Sequence, residues 1–356
     1  AGNANVSAMW ETNAYTVTYN ANGGSGAPSS QSATVYNATT SNKFTLSSTK
    51  PTRTGYTFLG WSTSNTATSA SYSAGGSITL SASDTLYAIW SENALTVNYY
   101  SNYADYGTYK GEVLSLSSST NVKVHSQDFL YDNSYSSALS NVQNTSYLYL
   151  SRTGYTPTGY WGTSTSGGTL IDEDTDYSTG QALAQALGKS LSSGNASINL
   201  YPQWKINTYT INYNGSGGSG SMSSQSVNWG GDFIISTNSF KREGYKCIGY
   251  NVKRSSDNKW YTNGQKWQSE SDIESNGYTK RLYTEGEDGH VMGTSWTDGT
   301  TSTDTFTFYV VWEISGVVYI DNGTTFEPYL AYIDNGSSWD LYLAYIDDGS
   351  NWNIVS

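Results

Sequence analysis

"RTGYTFLGW", Arg53 to Trp61, sets two glycines and three aromatic rings behind one cation, and the phrase returns as "RTGYTPTGYW" from Arg152 and as "REGYKCIGY" from Arg242. Other landmarks keep step with it. Upstream stand "YTVTYNANGGSG" from Tyr15, "LTVNYY" from Leu95 and "YTINYNGSGGSG" from Tyr209, while downstream a Tyr-x-x-Gly recurs at Tyr72, Tyr177 and Tyr261. Each unit closes on a tryptophan, Trp90, Trp204 or Trp312, and the next strand-like run begins five residues on. Such regular self-similarity marks a repeat architecture. It predicts the end of a preceding unit at residues 1–10, where Trp10 stands five residues before Tyr15, then repeat modules at 11–91, 92–205 and 206–313, and a different repeat at 314–356.

Composition says what the modules are made of. Among 356 residues there are 36 Gly, 32 Tyr and 12 Trp, with only 13% charged residues, which favours a mainly β chain over a helical one. In "YTVTYN" Tyr15, Val17 and Tyr19 share one face and Thr16 and Thr18 the other, the alternation of a half-buried strand. Glycine-rich punctuation such as "NANGGSG" then supplies turns with positive φ. One stretch has helical spacing, "YSTGQALAQALGKSL", with Ala184, Leu187 and Leu191 three and four apart, so the second module is expected to be α+β; the matching "YSAGGSITL" of the first is too short for much helix. The expected structural core is aromatic: Tyr19, Tyr56, Phe58, Trp61, Trp90, Tyr155, Trp161, Trp204, Tyr213, Tyr245 and Trp312. Each such side chain contributes roughly 1.5–3 kcal/mol when fully buried. Cys247 stands where Phe58 and Pro157 stand in the other copies and reads as a small apolar residue.

The series "YTVTYNANGG", "RTGYTFLGWST", Tyr-x-x-Gly and "TLYAIW" resembles the Listeria-Bacteroides repeat family, which includes the B repeat of internalin B. The likeness is close over residues 15–90, covers both ends of the second and third units, and is absent from their insertions; Tyr250 replaces the tryptophan in the third. The resemblance implies tandem β-grasp-like modules in an elongated array on bacterial surfaces or in phage structural proteins, with no catalytic residues.

Spacing shows where residues have been added. Tyr19 to Arg53 is 34 positions but Tyr99 to Arg152 is 53; Gly75 to Trp90 is 15 but Gly264 to Trp312 is 48. The third module's insertion, about 265–300, is the natural place for a contact surface, since long loops on a rigid scaffold tend to carry binding. Candidate ligand-binding residues are Trp267, Tyr278 and Trp296 there, Trp260 just before it, and Trp339 and Trp352 in the tail; the alternative is that the insertion's rings fold it onto a small core of its own. The formal net charge of −12 argues against nucleic acid and anionic lipid as partners. Nine of the 17 Lys and Arg lie between Lys241 and Arg281, and twelve Asp and Glu follow with no further cation.

The acidic end repeats every 13 residues: "VYIDNGTTFEPYLA", "YIDNGSSWDLYLA", "YIDDGSNWNIVS". Asn-Gly or Asp-Gly between apolar runs is a hairpin signal. Three such hairpins need a common sheet, a supporting module or another chain. These tails resemble those of phage minor structural proteins of gut bacteria.

Chemistry has little to work with. Two histidines and one cysteine give no zinc cluster, nucleophile pair or serine triad. Asp172, Asp174 and Asp176 alternate as in a calcium loop, but Tyr177 occupies the required glycine position and no glutamate follows at the twelfth. No metal or cofactor is expected, and the chain is not expected to be an enzyme. No apolar run approaches a membrane span. "NWNIVS" has no wall-sorting signal, which as an end would favour a virion over a sortase substrate. Three readings compete: a fibre or spacer, self-associating through its hairpins; a surface module for a glycan or protein receptor, with a coplanar pair of exposed rings; and a polysaccharide-degrading enzyme with two facing carboxylates. All three place it outside the cell, on a virion or a bacterial surface.

Overall fold

The structure is a computed structural model that describes residues 2, 13–35, 42–135, 148–287, 290–291, 296, 303–315, 317–321, 326–330, 332–334, 339–341, 345–347 and 352–354. The expected end of a preceding unit, with Trp10, lies outside them, as do the side chains of the tail.

One four-strand plan is used three times. The first module runs β1 (Asn13–Asn20), β2 (Gln31–Val35), β3 (Asn42–Thr45), β4 (Tyr56–Ser62), β5 (Ser77–Leu80) and β6 (Asp84–Glu92). Its main sheet has the order β2-β1-β6-β4. The second runs β7 (Ala94–Tyr100), β8 (Tyr106–Tyr109), β9 (Glu112–Val113), β10 (Lys123–Leu130), β11 (Leu148–Ser151), β12 (Tyr155–Ser164), β13 (Gly167–Asp172), α1 (Gly180–Ala186) and β14 (Ala196–Ile206), with the order β10-β7-β14-β12-β13. The third runs β15 (Thr208–Asn214), β16 (Gln225–Asn228), β17 (Asp232–Phe233), β18 (Tyr245–Arg254), β19 (Trp260–Tyr261), β20 (Trp267–Gln268), α2 (Glu270–Asn276), β21 (His290–Val291) and β22 (Thr305–Ile314), with the order β16-β15-β22-β18-β19-β20. The first strand of each module lies parallel to its last, as β1 to β6, β7 to β14 and β15 to β22. Parallel neighbours cannot be joined by a tight turn, so the chain between them must cross over the sheet.

That crossing chain forms a second layer, and it differs in every module. In the first, β3 pairs with β5 and buries Phe44, Leu46, Ile78 and Leu80 against the sheet. In the second, α1 lies against β7 and β10 with Leu183 and Ala184 fully buried, beside a small β11-β8-β9 sheet. Thr179 caps α1 by accepting from the Ala182 N–H, as the Ser/Thr start of the helical stretch predicts. In the third, β17 pairs with β21 and α2 buries Ile273.

The inward faces follow the alternation in the sequence: Val17 and Tyr19, then Leu95, Val97 and Tyr99, then Tyr209 and Ile211 are all buried. One ring pair recurs across the layer, Tyr19 with Trp61 at 4.9 Å, Tyr99 with Trp161 at 5.0 Å and Tyr213 with Tyr250 at 5.6 Å between centroids. Tyr250 therefore does the packing of the tryptophan that the third copy lacks.

Phe58 and Trp61 are three residues apart and would leave a regular strand on opposite faces. A bulge between Phe58 and Gly60 corrects the parity, and another between Cys247 and Gly249 does so in the third module. Both bulge glycines have φ near +140°, at +143° and +142°. A Cβ on Gly60 would lie 2.5 Å from the Tyr72 carbonyl oxygen, and one on Gly249 2.3 Å from that of Tyr283.

The aromatic core is smaller than the sequence suggests. Trp61, Trp161 and Tyr19 are interior, and Tyr213 and Phe58 pack at its margin. Tyr56, Tyr155 and Tyr245 are only half-buried. Each opens its strand directly after the turn, where an arginine lies over its ring. Trp90 and Trp312 are half-buried and pack against the core at its margin, as Phe58 and Tyr213 do, and Trp204 is half-buried.

The chain divides into two compact units, residues 1–151 with 157–203, and residues 152–156 with 204–356. The tail holds three separate two-stranded antiparallel pairs: β23 (Val317–Asp321) with β24 (Phe326–Leu330), β25 (Tyr332–Asp334) with β26 (Trp339–Leu341), and β27 (Tyr345–Asp347) with β28 (Trp352–Ile354). Among the described residues no helix is long and apolar enough to cross a membrane.

Gly60→Ala forces both a strained φ and a backbone clash, and is expected to cost about 3 kcal/mol. Denaturant unfolding of the full chain, followed through loss of the first module's tryptophan signal, checks it against Gly26→Ala, whose added Cβ meets nothing within 4 Å.

Candidate functional site: the turn that meets the next repeat

The Arg-x-Gly-Tyr phrase is a four-residue turn. The tyrosine N–H donates to the arginine carbonyl at 3.1 Å from Tyr56 to Arg53, 3.0 Å from Tyr155 to Arg152 and 3.1 Å from Tyr245 to Arg242. Its third position is Gly55, Gly154 or Gly244 at φ +81°, +80° or +72°, the conformation that a type II turn reserves for glycine. The turn brings the first and fourth side chains together, so each guanidinium carbon lies over the tyrosine ring, 3.6, 3.9 and 4.0 Å from its centroid.

The turn glycine then receives the chain that leaves the module. Its carbonyl accepts an N–H from the residue three past the closing tryptophan: Asn93 to Gly55 at 2.8 Å, Asn207 to Gly154 at 2.9 Å and Ser315 to Gly244 at 2.9 Å. The residue following β10 or β16, the strand paired antiparallel with the next module's first strand, lies across that glycine. A Cβ on Gly55 would fall 2.3 Å from Tyr131 Cδ1, and a Cβ on Gly154 2.0 Å from Trp229 Cδ1. Tyr131 and Trp229 are held there by donating their N–H groups to the carbonyls of Asn93 and Asn207, both at 2.9 Å.

The asparagines lock the arrangement. Asn93 is fully buried; its Oδ1 accepts from Thr57 Oγ1 at 2.6 Å and its Nδ2 donates to the Leu191 carbonyl at 2.6 Å. Leu191 is itself fixed by its N–H to Gln181 Oε1 on α1, and the neighbouring Ser192 carbonyl accepts from the Gly55 N–H at 3.0 Å. Asn207 Oδ1 accepts from Thr156 Oγ1 at 2.8 Å in the same way. At the third turn Lys246 stands where the threonine stood, and it pairs with Glu313 at 2.9 Å.

Tyr56 adds a hydrogen bond from its hydroxyl to the Asp132 carboxylate at 2.7 Å, and the Asp132 N–H donates to Glu92 Oε1 at 2.7 Å. That bond, then desolvation and the charges of Glu92 and Asp132, against the opposing charge of Arg53, pushes the Tyr56 phenol up to about 12.

The insertion of the third module turns inward. Trp296 is 4% exposed and Tyr283 is fully buried; Trp267 packs beside them and donates its Nε1–H to the Trp296 carbonyl at 3.0 Å. Trp296 packs on Phe233, Tyr261, Phe306 and Phe308 of the module's own strands. The insertion thus enlarges the third module's core rather than building a separate one, and Trp267 and Trp296 offer no open ring face. Trp260 has the Lys280 and Lys253 ammoniums 4.1 and 5.2 Å from its centroid, with Lys280 also paired to Glu270. Tyr278 is 42% exposed, and the side chains of Trp339 and Trp352 lie outside the described residues. Asp172 Oδ1 accepts the Asp174 N–H, a local turn contact. Cys247 is half-buried, and burial pushes its thiol pKa up.

Residues 15–89 and 209–280 match the Listeria-Bacteroides repeat domain. Two segments of this chain are Listeria-Bacteroides repeats. The module between the two repeats shares their four-strand plan and their Arg-x-Gly-Tyr turn. The Listeria-Bacteroides repeat is a surface-associated domain, in keeping with a structural or adhesive role outside the cell. No curated protein matches the chain.

Asn93→Ala leaves the Leu191 carbonyl without its donor in a buried place and is expected to cost about 1–3 kcal/mol in chemical unfolding. The Tyr56 contribution has the opposite sign from a carboxylate's. The raised phenol stabilises the fold fully below pH 10 and loses that contribution as pH rises from 10 through about 12. Melting temperatures across that range should fall less steeply in Tyr56→Phe.

Proposed function

We propose that the chain is a non-enzymatic extracellular structural and adhesive protein whose Listeria-Bacteroides repeats are coupled one to the next, holding a host-contacting surface away from the particle or cell that carries it. The observation that carries this reading is the recurrence of one junction chemistry. An aromatic ring on a turn glycine, and an asparagine tied to that glycine's carbonyl, occur at both Gly55 and Gly154. A catalytic centre is needed once in a chain, whereas a coupling device is needed at each boundary. The most strongly raised tyrosines, Tyr250 and Tyr283, owe their shifts first to burial, as packing residues do.

The likeness of the tail to phage minor structural proteins supports a virion tail or fibre protein, with the three strand pairs of residues 317–354 as a self-association or assembly element, since an isolated two-stranded hairpin is marginal in water. A bacterial surface adhesin, binding a glycan or protein receptor, is the second reading, favoured by the surface-associated repeat family.

Antibody raised against the chain should label intact virions or unpermeabilised cells; labelling only after lysis would sink the surface role. In the pulled or heated full chain the first two modules should unfold in one step, and Gly55→Ala should split that step in two. A wild type that already unfolds in two independent steps would remove the coupling.

A further inference from the structure

We propose that the clefts beside the first and third Arg-x-Gly-Tyr turns bind acidic saccharides, each taking one carboxylate or phosphate group of a sugar polymer. The first cleft, of about 360 Å³, is lined by Lys50, Arg53, Phe58, Trp90 and Ser192. The third, of about 420 Å³, is lined by Lys241, Arg242, Glu243, Cys247 and Trp312. Both volumes fall within the range of small-ligand sites. The arginine, the residue five positions on (Phe58 or Cys247) and the closing tryptophan repeat position for position, and each cleft adds a lysine, three positions before the arginine in the first and directly before it in the third. Cys247 stands in the third cleft where Phe58 stands in the first.

The cationic groups are arranged as receptors. Arg53 has its guanidinium face over Tyr56 while, on the Gly23 side, a glycine Cβ would lie 3.7 Å from its central carbon. Stacking occupies the faces of a guanidinium and leaves its in-plane N–H donors, which fit an oxyanion in a bidentate way. Among the described residues no carboxylate pairs with Lys50, Arg53, Lys241 or Arg242, although five ion pairs form elsewhere. The tryptophan wall is fixed in advance. Trp90 Nε1 donates to the Ala21 carbonyl at 3.0 Å and Trp312 Nε1 to that of Gly215 at 2.7 Å. Gly24 and Gly218 lie so close that a Cβ on either would come within 2.6 Å of the ring. A pre-set aromatic wall beside a forked cation suits a sugar ring bearing an acid and lowers the entropy cost of binding.

The inference deepens the adhesive reading and has its own test. Cys247 is the single cysteine of the chain, so alkylation of the native protein reports occupancy of the third cleft without engineering. The alkylation rate and tryptophan fluorescence would be followed while the full chain is titrated with a polyuronate oligosaccharide, with a glycosylated poly(glycerol phosphate), and with neutral maltooligosaccharide. At least one acidic polymer should slow alkylation severalfold, and which one does so identifies the acid. Arg53→Gln with Arg242→Gln should weaken binding about tenfold. Should those variants misfold, the exposed pair Lys50→Ala with Lys241→Ala should weaken it severalfold, and added salt should weaken it in the wild type. Unchanged alkylation at millimolar acidic polymer, equal protection by the neutral sugar, or full binding by the lysine variant would overturn the proposal. Surface labelling with an unprotected Cys247 would retire the clefts and leave the extracellular role standing.

Discussion

The missing side chain of one turn glycine governs how these modules meet. At Gly55 and Gly154 the space that any other residue would fill is taken by Tyr131 and Trp229. The positive φ of the same glycines aims their carbonyls at the N–H groups of Asn93 and Asn207. The first condition excludes any residue with a Cβ, and the second is strained for one. The arginine and tyrosine on either side of the glycine are consequences of the turn, which brings the first and fourth side chains face to face.

Behind the turn stands a division of labour. The four-strand sheet with its parallel central pair is held constant, since its strands carry the recurring ring pair and the tryptophan that closes the module. The crossover chain is free to vary so long as it covers the sheet. A strand pair, a helix with a small sheet, and an aromatic-rich insertion all meet that condition. The insertion of the third module is the largest departure, and it sends Trp296 and Tyr283 inside, where Trp296 joins Phe306 and Phe308.

Much of this was legible in the sequence. Alternation gave the first strand of each module, and the spacing of Ala184, Leu187 and Leu191 pointed to α1, although the helix ends at Ala186 and only Ala184 of the three lies within it. The role of the Arg-x-Gly-Tyr phrase was not legible, because three rings in nine residues look like core; the bulge at Gly60 brings Trp61 onto the face of Phe58, while the turn that stacks Arg53 on Tyr56 leaves that ring half-buried. A signal for the junction does stand in the chain: Asn13, Asn93 and Asn207 each follow a closing tryptophan by three positions. What no spacing reveals is that Tyr131 and Trp229 lie on the turn, since they stand 76 and 75 positions from their glycines. α2, seven residues of polar helix, was hidden for a different reason, having only Ile273 to give it an apolar face.

The seams are not equally proof against their surroundings. Where the first holds a buried amide between a hydroxyl and a carbonyl, the last has exchanged that amide for Ser315 and set Lys246 against Glu313, both more than half open to water. Ionic strength scarcely reaches a sealed amide, but it screens an open charge pair within a few ångströms. The grip on the chain leaving the third module is therefore the one that brine relaxes, and the earlier seams stay shut.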